Sequence, residues 1–352
     1  MPASASIAIV GGGPVGLFLS LKLAQKGHYV DLFEFRNWPI DKVCGQGITP
    51  KGIQLLNDLG IETSELGCTF DGIKFFDGDV ILQGNFNTGV AKGIKRSDLS
   101  NALYLRCVNH PLINLINKKV DVFKNGKTVK VQTENFTKIY SYLFCCEGLN
   151  SQTRKKLKLE KKNVTSFLLG PRFGARFHYK VSPWRQMVEV YWNNGIECYV
   201  TPVNEHEVEI AFLWFEDQIK FKNLKENLIN CFSEFLPFVN VDLISDFKVY
   251  GPFNNCSKKL KDGNIYFVGD AYCFQDGITG EGLSLGFMCA THLANHFKNF
   301  SLLNYLAIRI YYLKYTFFIL LLLTLSKFPR IRKLVFRMFG FYFEKILNLN
   351  RL

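Results

Sequence analysis

The chain has 352 residues, 48% of them hydrophobic and 21% charged, and a formal net charge of +13. That balance belongs to a globular protein and excludes a disordered one, while ten cysteines without a CxxC pair exclude a zinc ribbon or a disulfide framework and predict buried, reduced thiols. Lys314, Lys327, Arg330, Arg332, Lys333, Arg337, Lys345 and Arg351 crowd the end of the chain against Glu344 alone, and they alternate with bulky aliphatics rather than stacking aromatics, which argues against nucleic acid and for an anionic membrane surface.

The first strand begins at about residue 5 with no leader pattern before it, so the chain is expected to start in the cytoplasm. Residues 5–36 read as a strand, a glycine turn, a helix and a second strand ending on an acid. Gly11 permits the tight turn, Gly13 lets backbone N–H groups approach a pyrophosphate, and Gly16 lets the helix pack closely on the sheet. Pro14 and Val15 open that helix, whose N-terminus would carry the phosphates. Glu34 stands where its carboxylate can accept from both ribose hydroxyls, with Arg36 just beyond. A 2′-phosphate would be repelled there, so FAD or NAD fits and NADP does not.

Residues 51–59 and 97–108 have the spacing of amphipathic helices, the second able to be capped by Ser97 or Asp98. Three runs at 120–123, 129–133 and 139–145 predict a β-meander with Asn125-Gly126 as a hairpin turn. Residues 173–214 predict about four antiparallel strands with turns at Asn193-Asn194-Gly195 and around Asn204-Glu205, in a layer separate from the opening unit. A helix at 217–235, a strand at 244–250 and a buried strand at 264–268 follow. That strand delivers Asp270 to the sheet edge, where a carboxylate can bond a hydroxyl of a bound chain. Thr279-Gly280-Glu281-Gly282 then opens a helix running to about residue 297, its free N–H groups facing the same place. Residues 315–326 form an unbroken apolar run of twelve, about 18 Å of helix, short of the roughly twenty residues a bilayer core needs. With the basic and apolar alternation after Pro329, this predicts a pair of helices that lie on a membrane, cap a pocket mouth or pack on the first domain.

Taken together, the glycine turn with Glu34, IKRSDLSNAL at 94–103, CCEGLNSQTR at 145–154, and Gly269-Asp270-Ala271 with its following helix resemble the FAD-dependent monooxygenases of the aromatic hydroxylase type and the related geranylgeranyl reductases. The likeness runs over about residues 5–300. It implies an α/β fold with a discontinuous Rossmann-like FAD-binding domain (1–66, 92–160 and 255–300). A second domain built on an antiparallel β-sheet (67–91 and 161–254) and a helical C-terminal extension (301–352) complete it. It further implies FAD as the resident cofactor and NADH or NADPH as a transient reductant, consistent with the lack of a second glycine fingerprint. Arg96, suited to bidentate phosphate contact, would touch the FAD, unless it is a solvated helix-end residue. Glu147-Gly148 stands where the family carries Asp-Gly for FAD and nicotinamide handling. Gly269, Asp270, Thr279, Gly280, Glu281 and Gly282 would border the cofactor. Cys44-Gly45-Gln46-Gly47 matches a Cys-Gly-x-Gly segment near the isoalloxazine, with Cys44 either a catalytic thiol or a small residue beside Gly45 and Gly47 that lets backbone reach the ring.

The resemblance implies a monooxygenase that hydroxylates or epoxidises a hydrophobic aromatic, polyketide-like or lipid-like small molecule with molecular oxygen, through a flavin hydroperoxide kept in a dry pocket. The alternatives are reduction of C=C bonds in a polyprenyl lipid, and non-catalytic lipid or prenyl binding. Against the Tyr-x-Trp-x-Phe-Pro stretch of the prenyl reductases, this chain keeps only Pro202 and has Tyr199 for the tryptophan. Glu34, Arg96 and Asp270 argue against the non-catalytic reading. Tyr191, Tyr199, Pro202 and Trp214, with His178 and Trp192, are the candidates to line the substrate pocket. No metal-ligand spacing is present, and no nucleic-acid partner is expected. The expected location is cytoplasmic, peripheral on the inner face of the membrane if residues 310–350 bind anionic lipid.

Overall fold

A strand buried on both faces is mostly apolar, and Ile7–Val10, Val30–Phe33 and Ile265–Phe267 are buried at every position, with Asp31 in the second held by Lys138, Tyr140 and Asn114. In the computed structural model, which describes residues 6–235 and 245–349, they build one six-stranded sheet. Its order is Lys261–Asp262, Ile265–Phe267, Tyr142–Cys145, Ile7–Val10, Val30–Phe33, Ile113–Ile116, parallel except at the first pair. The helices Pro14–Gln25, Arg96–Val108 and Gly282–His296 complete this discontinuous Rossmann-like region around one large core. The meander is Asp121–Asn125, Thr128–Gln132 and Thr137–Tyr140. Its third run is shorter than the sequence predicts. The N–H groups of Ser141 and Tyr142 both turn to the Ser6 carbonyl, which carries the chain out of the meander and into the parallel sheet.

The second sheet has seven strands in the order Lys248–Tyr250, Arg172–Tyr179, Glu207–Phe215, Ile196–Asn204, Val188–Asn193, Gly72–Asp77, Val80–Asn85. All neighbours are antiparallel except Gly72–Asp77 beside Val188–Asn193. The hairpin turning at Gly78 was not expected as strands. One face of the sheet packs Phe177, Ile210, Phe212 and Trp214 under the helix Leu224–Phe232. By alternation the other face carries Arg176, His178, Tyr199, Thr201 and Glu209 toward the first domain.

Several element ends differ from expectation. Neither Ser97 nor Asp98 caps the helix Arg96–Val108, because the Ser97 hydroxyl donates to the Asp98 carboxylate instead. The helix predicted from residue 279 starts at Gly282, after Gly280 takes a φ of +66°. The helix predicted at 217–235 is Leu224–Phe232, and the strand expected at 244–250 is Lys248–Tyr250, residue 244 lying outside the described residues. Cys256 and Cys273 are joined as a disulfide where their two segments meet in an isolated β-bridge, against the expectation of reduced thiols throughout.

The C-terminal correction is the largest. Leu302–Lys327 is one helix of 26 residues, because Lys314 points to solvent and does not end it. Among the described residues it is the one helix long and apolar enough to cross a membrane, with a mean hydropathy of 1.7. Its Ile308 and Tyr312 join the core of the first domain, while Ile319 and Leu323 pack with Leu213, Phe215 and Phe253 of the second. Pro329–Phe339 then lies against the second sheet, with Phe336 stacked on Trp192 at 5.1 Å and Arg332 bonded to Asp77 at 2.6 and 2.8 Å. The helices thus pack on both domains rather than on the first alone.

Both members of the Arg332–Asp77 pair are buried. Removing one partner of such a pair leaves an uncompensated charge, so Asp77→Ala is expected to lower stability by about 3–5 kcal/mol. The joint change Asp77→Leu with Arg332→Met is expected to cost less; urea unfolding midpoints measure both.

Candidate functional site

The glycine turn leaves no room for side chains where the chain passes closest to itself. A Cβ on Gly16 would sit 1.9 Å from the Gly11 carbonyl oxygen, and one on Gly11, at φ +104°, would sit 2.5 Å from the Cys146 carbonyl oxygen. A Cβ on Gly13, by contrast, would meet nothing within 4 Å. Gly13 therefore faces open space at the start of the helix Pro14–Gln25, which has no side-chain cap among the described residues. Uncapped first-turn N–H groups on an open glycine surface are the donor set a pyrophosphate requires.

The Asp270 segment arrives at the same place. A Cβ on Gly269 would lie 3.4 Å from Val15 and one on Gly286 2.8 Å from it, so the last βα turn packs on the first. Gly280 and Gly282 are likewise open. Asp270 pairs with Lys42 at 2.7 Å, and its neighbours Thr279, Glu281, Gly282 and Leu285 border a cavity closed by Tyr312 and Ile319 of the long C-terminal helix. Arg154, fully buried, donates to the Ala271 carbonyl at 3.0 Å and fixes this segment to the loop after Tyr142–Cys145.

Glu34 lies directly after its strand and accepts from the Gly12 N–H at 2.8 Å and from Arg36 Nε at 2.9 Å. Burial opposes its charge, but the bonds from Arg36 and Gly12 outweigh burial and hold its carboxyl below the usual range. It is an anion whose two oxygens already take four donors from Gly12 and Arg36, so a ribose hydroxyl would reach it only in place of the half-exposed Arg36 guanidinium. Trp38, which the sequence reading did not single out, donates to the Gly12 carbonyl at 2.9 Å and stacks on Tyr104. Glu147 is turned inward: Ser151 donates to it at 2.5 Å and the Thr153 N–H at 3.1 Å, so its carboxylate shapes the loop carrying Gly148.

The Cys44 loop joins the two domains. Arg96 Nη2 donates to Cys44 Sγ at 2.5 Å, while its buried Nη1 has no hydrogen-bond partner among the described residues. Arg96 is therefore not a solvated helix end. Burial would raise the Cys44 pKa, yet the Arg96 charge, the Gln46 backbone N–H and the Lys42 charge outweigh it, and the thiol lies below its ordinary value. Gly45 is open, its carbonyl accepts from Thr201 at 3.0 Å, and Gln46 bonds His178 Nε2 at 3.0 Å. Burial first, then the Arg176 charge, push His178 down to about 4, so it is neutral at pH 7.

Two groups here were missed by the sequence reading. Glu209 is fully buried with neither carboxylate oxygen hydrogen-bonded among the described residues, and Arg176 Nε stands 3.7 Å away. Burial, then the nearby Cys44 charge, push its carboxyl well above the usual range, which favours the protonated form. The available signal was a charged residue within an apolar strand, EVEIAFLWF for Glu209 and RFGARFHY for Arg176. The pocket candidates divide. Tyr199 is on the site face, its hydroxyl donating to the Ile278 carbonyl at 3.0 Å. Tyr191 and Trp214 belong to the core on the opposite face, beneath Leu224–Phe232, and do not reach the cleft. Trp192 is covered by Phe336. Pro202 sits at a register shift with its carbonyl against Gly93. No cluster suited to a metal ion occurs among the described residues.

Comparison with known proteins agrees with this geometry. Residues 4–71 match the profile of the FAD binding domain family. A stretch of 58 residues is 36% identical to menaquinone reductase of Mycobacterium tuberculosis, covering 16% of this chain and 14% of that protein. The menaquinone reductase of Mycolicibacterium smegmatis is 34% identical over 61 residues, 17% of this chain and 15% of that protein. The match thus spans about a seventh of the length of these curated relatives. Among solved structures, p-nitrophenol 4-monooxygenase from Pseudomonas putida has a TM-score of 0.81 at 16% identity, covering 98% of this chain and 95% of that one. A flavoprotein/dehydrogenase from Cytophaga hutchinsonii has a TM-score of 0.79 at 14% identity, over 94% and 87% of the two chains. The flavin-dependent halogenase CmlS has a TM-score of 0.76 at 15% identity, over 90% and 64%. At these identities the shared property is the fold, which is that of flavin-dependent monooxygenases and halogenases.

Alkylation of Cys44, followed by peptide mapping across pH, is expected to reach half its limiting rate below the ordinary thiol value of about 8.5. Arg96→Met removes the cation that favours the thiolate and is expected to raise that midpoint by about one unit or more, with Arg96→Lys restoring most of the shift.

Proposed function

We propose that this chain binds FAD along the cleft between the Gly11 turn and the Asp270 segment and acts as an oxidoreductase on a hydrophobic small molecule, with NADH or NADPH as electron donor. The observation that carries the reading is the packing of Val15 against Gly269 and Gly286, which sets the uncapped start of Pro14–Gln25 beside the Asp270 segment, with Glu34 bonded to the Gly12 N–H of the same turn. Bound FAD would take up a hydride equivalent and pass two electrons to oxygen or to an organic substrate. This chain's own residues do the rest. The first-turn N–H groups of Pro14–Gln25 would hold the pyrophosphate, Glu34 the ribose hydroxyls, and the free Nη1 of Arg96 a further acceptor. The open Gly45, tied down through Thr201, offers backbone to a flat ring.

The first reading of the chemistry is monooxygenation of an aromatic, polyketide-like or lipid-like substrate, supported by a fold shared almost end to end with p-nitrophenol 4-monooxygenase. A second reading, reduction of a C=C bond, is favoured by one specific observation: Glu209 is fully buried with neither oxygen hydrogen-bonded among the described residues and its carboxyl is pushed up, so it would supply the proton that such a reduction consumes. The local identity to menaquinone reductases points the same way.

Because a side chain at residue 13 meets open space, Gly13→Asp is expected to fold as the parent does while placing a carboxylate where the pyrophosphate would sit. Flavin recovered with the protein is expected to fall by about tenfold or more, read by absorbance of the purified protein. A colourless parent protein after reconstitution would overturn the cofactor assignment. The chemistry is separated by supplying NADH or NADPH and heavy-isotope oxygen with a panel of phenols, quinones and polyprenyl lipids. Product bearing the isotope is the expected result; product that gains hydrogen and no labelled oxygen replaces it with the reductase.

A further inference from the structure

The C-terminal helices carry more apolar surface than their packing uses. On Leu302–Lys327, the residues Leu302, Leu306, Ile310, Leu313, Phe317 and Leu321 recur every three or four positions and are all exposed, Phe317 by 73%. Ile308, Tyr312, Ile319 and Leu323 are buried. At 3.6 residues per turn these two sets occupy opposite arcs of one helix. The next helix adds Ile331, Leu334 and Met338, exposed by 52%, 58% and 62%. Beside the far end of the long helix, where Lys327 Nζ donates to the Leu169 carbonyl, the helix Val164–Leu169 exposes Phe167 by 76%. A contiguous stripe of this kind exceeds the scattered apolar exposure of ordinary soluble surfaces. Cations rim it: Lys314 and Arg330 are exposed on the same two helices, Arg337 is exposed but paired with Asp79, and Glu344 is the one acid after residue 300.

We propose that this face binds an anionic lipid bilayer monotopically, with Leu302–Lys327 lying in the membrane plane, its outer arc among the acyl chains and Lys314 and Arg330 at the phosphates. Length alone would let this helix cross a bilayer, but its inner arc belongs to the two protein cores and its Ser326 hydroxyl donates to Glu197 at 2.5 Å, so crossing would uncover the buried Glu197 and Arg332. Charge selects lipid over a second copy of the chain, since pairing two such faces would oppose their cationic rims. Tyr312 and Ile319 of the inner arc close the cavity beside Asp270. The helix that rests on the bilayer is therefore also a wall of that cavity; that the cavity serves the reaction, unlike the binding itself, rests on the proposed function.

The test is flotation of the full-length flavin-loaded chain with vesicles of phosphatidylcholine alone and of phosphatidylcholine with phosphatidylglycerol. The chain is expected to float with the anionic vesicles, less so as salt rises, and to be released by alkaline carbonate. Leu313→Glu and Phe317→Glu alter only exposed positions, so they are expected to keep the parent's flavin spectrum and urea midpoint while lowering the vesicle-bound fraction by about tenfold each. Failure to float with either vesicle overturns the proposal. So does resistance to carbonate, which would assign a spanning helix, or a parent dimer that these substitutions split without any vesicle binding, which would assign the stripe to self-association. Flavin loss without loss of flotation would count against the proposed function and leave this surface standing.

Discussion

The first domain depends on backbone lying against backbone: the Cα of Gly16 over the carbonyl of Gly11, and the Cα of Gly11 over the carbonyl of Cys146. No side-chain rotamer relieves such a contact, so any residue larger than glycine would push the first helix off the sheet. With glycine present, the helix start drops between the strands Ile7–Val10 and Tyr142–Cys145, and Val15 comes to rest on Gly269 and Gly286. Two parts of the chain more than 250 residues apart in number are thereby set side by side by a local steric rule, and the cleft between them is a consequence.

That rule is also why the first domain was legible in the sequence. Glycines at fixed offsets, four-residue buried runs and a terminal acid each constrain the backbone in one way, and they agree with one another. The second sheet was legible as strands and turns but not as faces. Both of its faces are covered, one by Leu224–Phe232 and the other by the cleft and the C-terminal helices, so neither shows the polar alternation that would mark solvent. Tyr199 and Trp214 look equivalent on paper; pairing of Tyr199 with Ala211 and of Trp214 with Phe173 puts them on opposite sides. The charged residues Arg176 and Glu209, not the aromatics, marked the face that matters. The hairpin Gly72–Asp77 with Val80–Asn85 escaped notice because Gly72, Gly78 and Gly84 give it the composition of a loop. Gly72 is there because a Cβ would fall 2.1 Å from the Gly84 carbonyl oxygen across the strand pair.

The seating of the C-terminal helices depends on buried charge rather than on apolar area. Arg172 bonds Glu197 at 2.5 Å and pairs with Asp276 at 3.2 Å, Ser326 donates to Glu197, and Arg332 closes on Asp77. Each of these groups was stripped of water, so the pairs add little net stability compared with apolar residues of the same volume. Their effect is selective. An apolar helix slides along an apolar surface at small cost, whereas moving Ser326 or Arg332 by one turn would leave Glu197 or Asp77 buried and short of a partner. The sequence showed the apolar run and its flanking lysines but could not show where the run would stop against the sheet, because that position is set by residues from four separate segments.

The same logic applies inside the cleft, where two acids compete for too few cations. Arg176 is committed through one nitrogen to both oxygens of Asp41 and through another to His178, so Glu209 receives only its Nε at 3.7 Å. Arg96 is committed to Cys44. Burial and the nearby Cys44 charge push the Glu209 carboxyl up, while Arg96 on the sulfur favours the thiolate of Cys44. The guanidinium that favours the Cys44 thiolate keeps its Nη1 without a hydrogen-bond partner among the described residues, and the neutral His178, held by Gln46, adds no competing charge at pH 7.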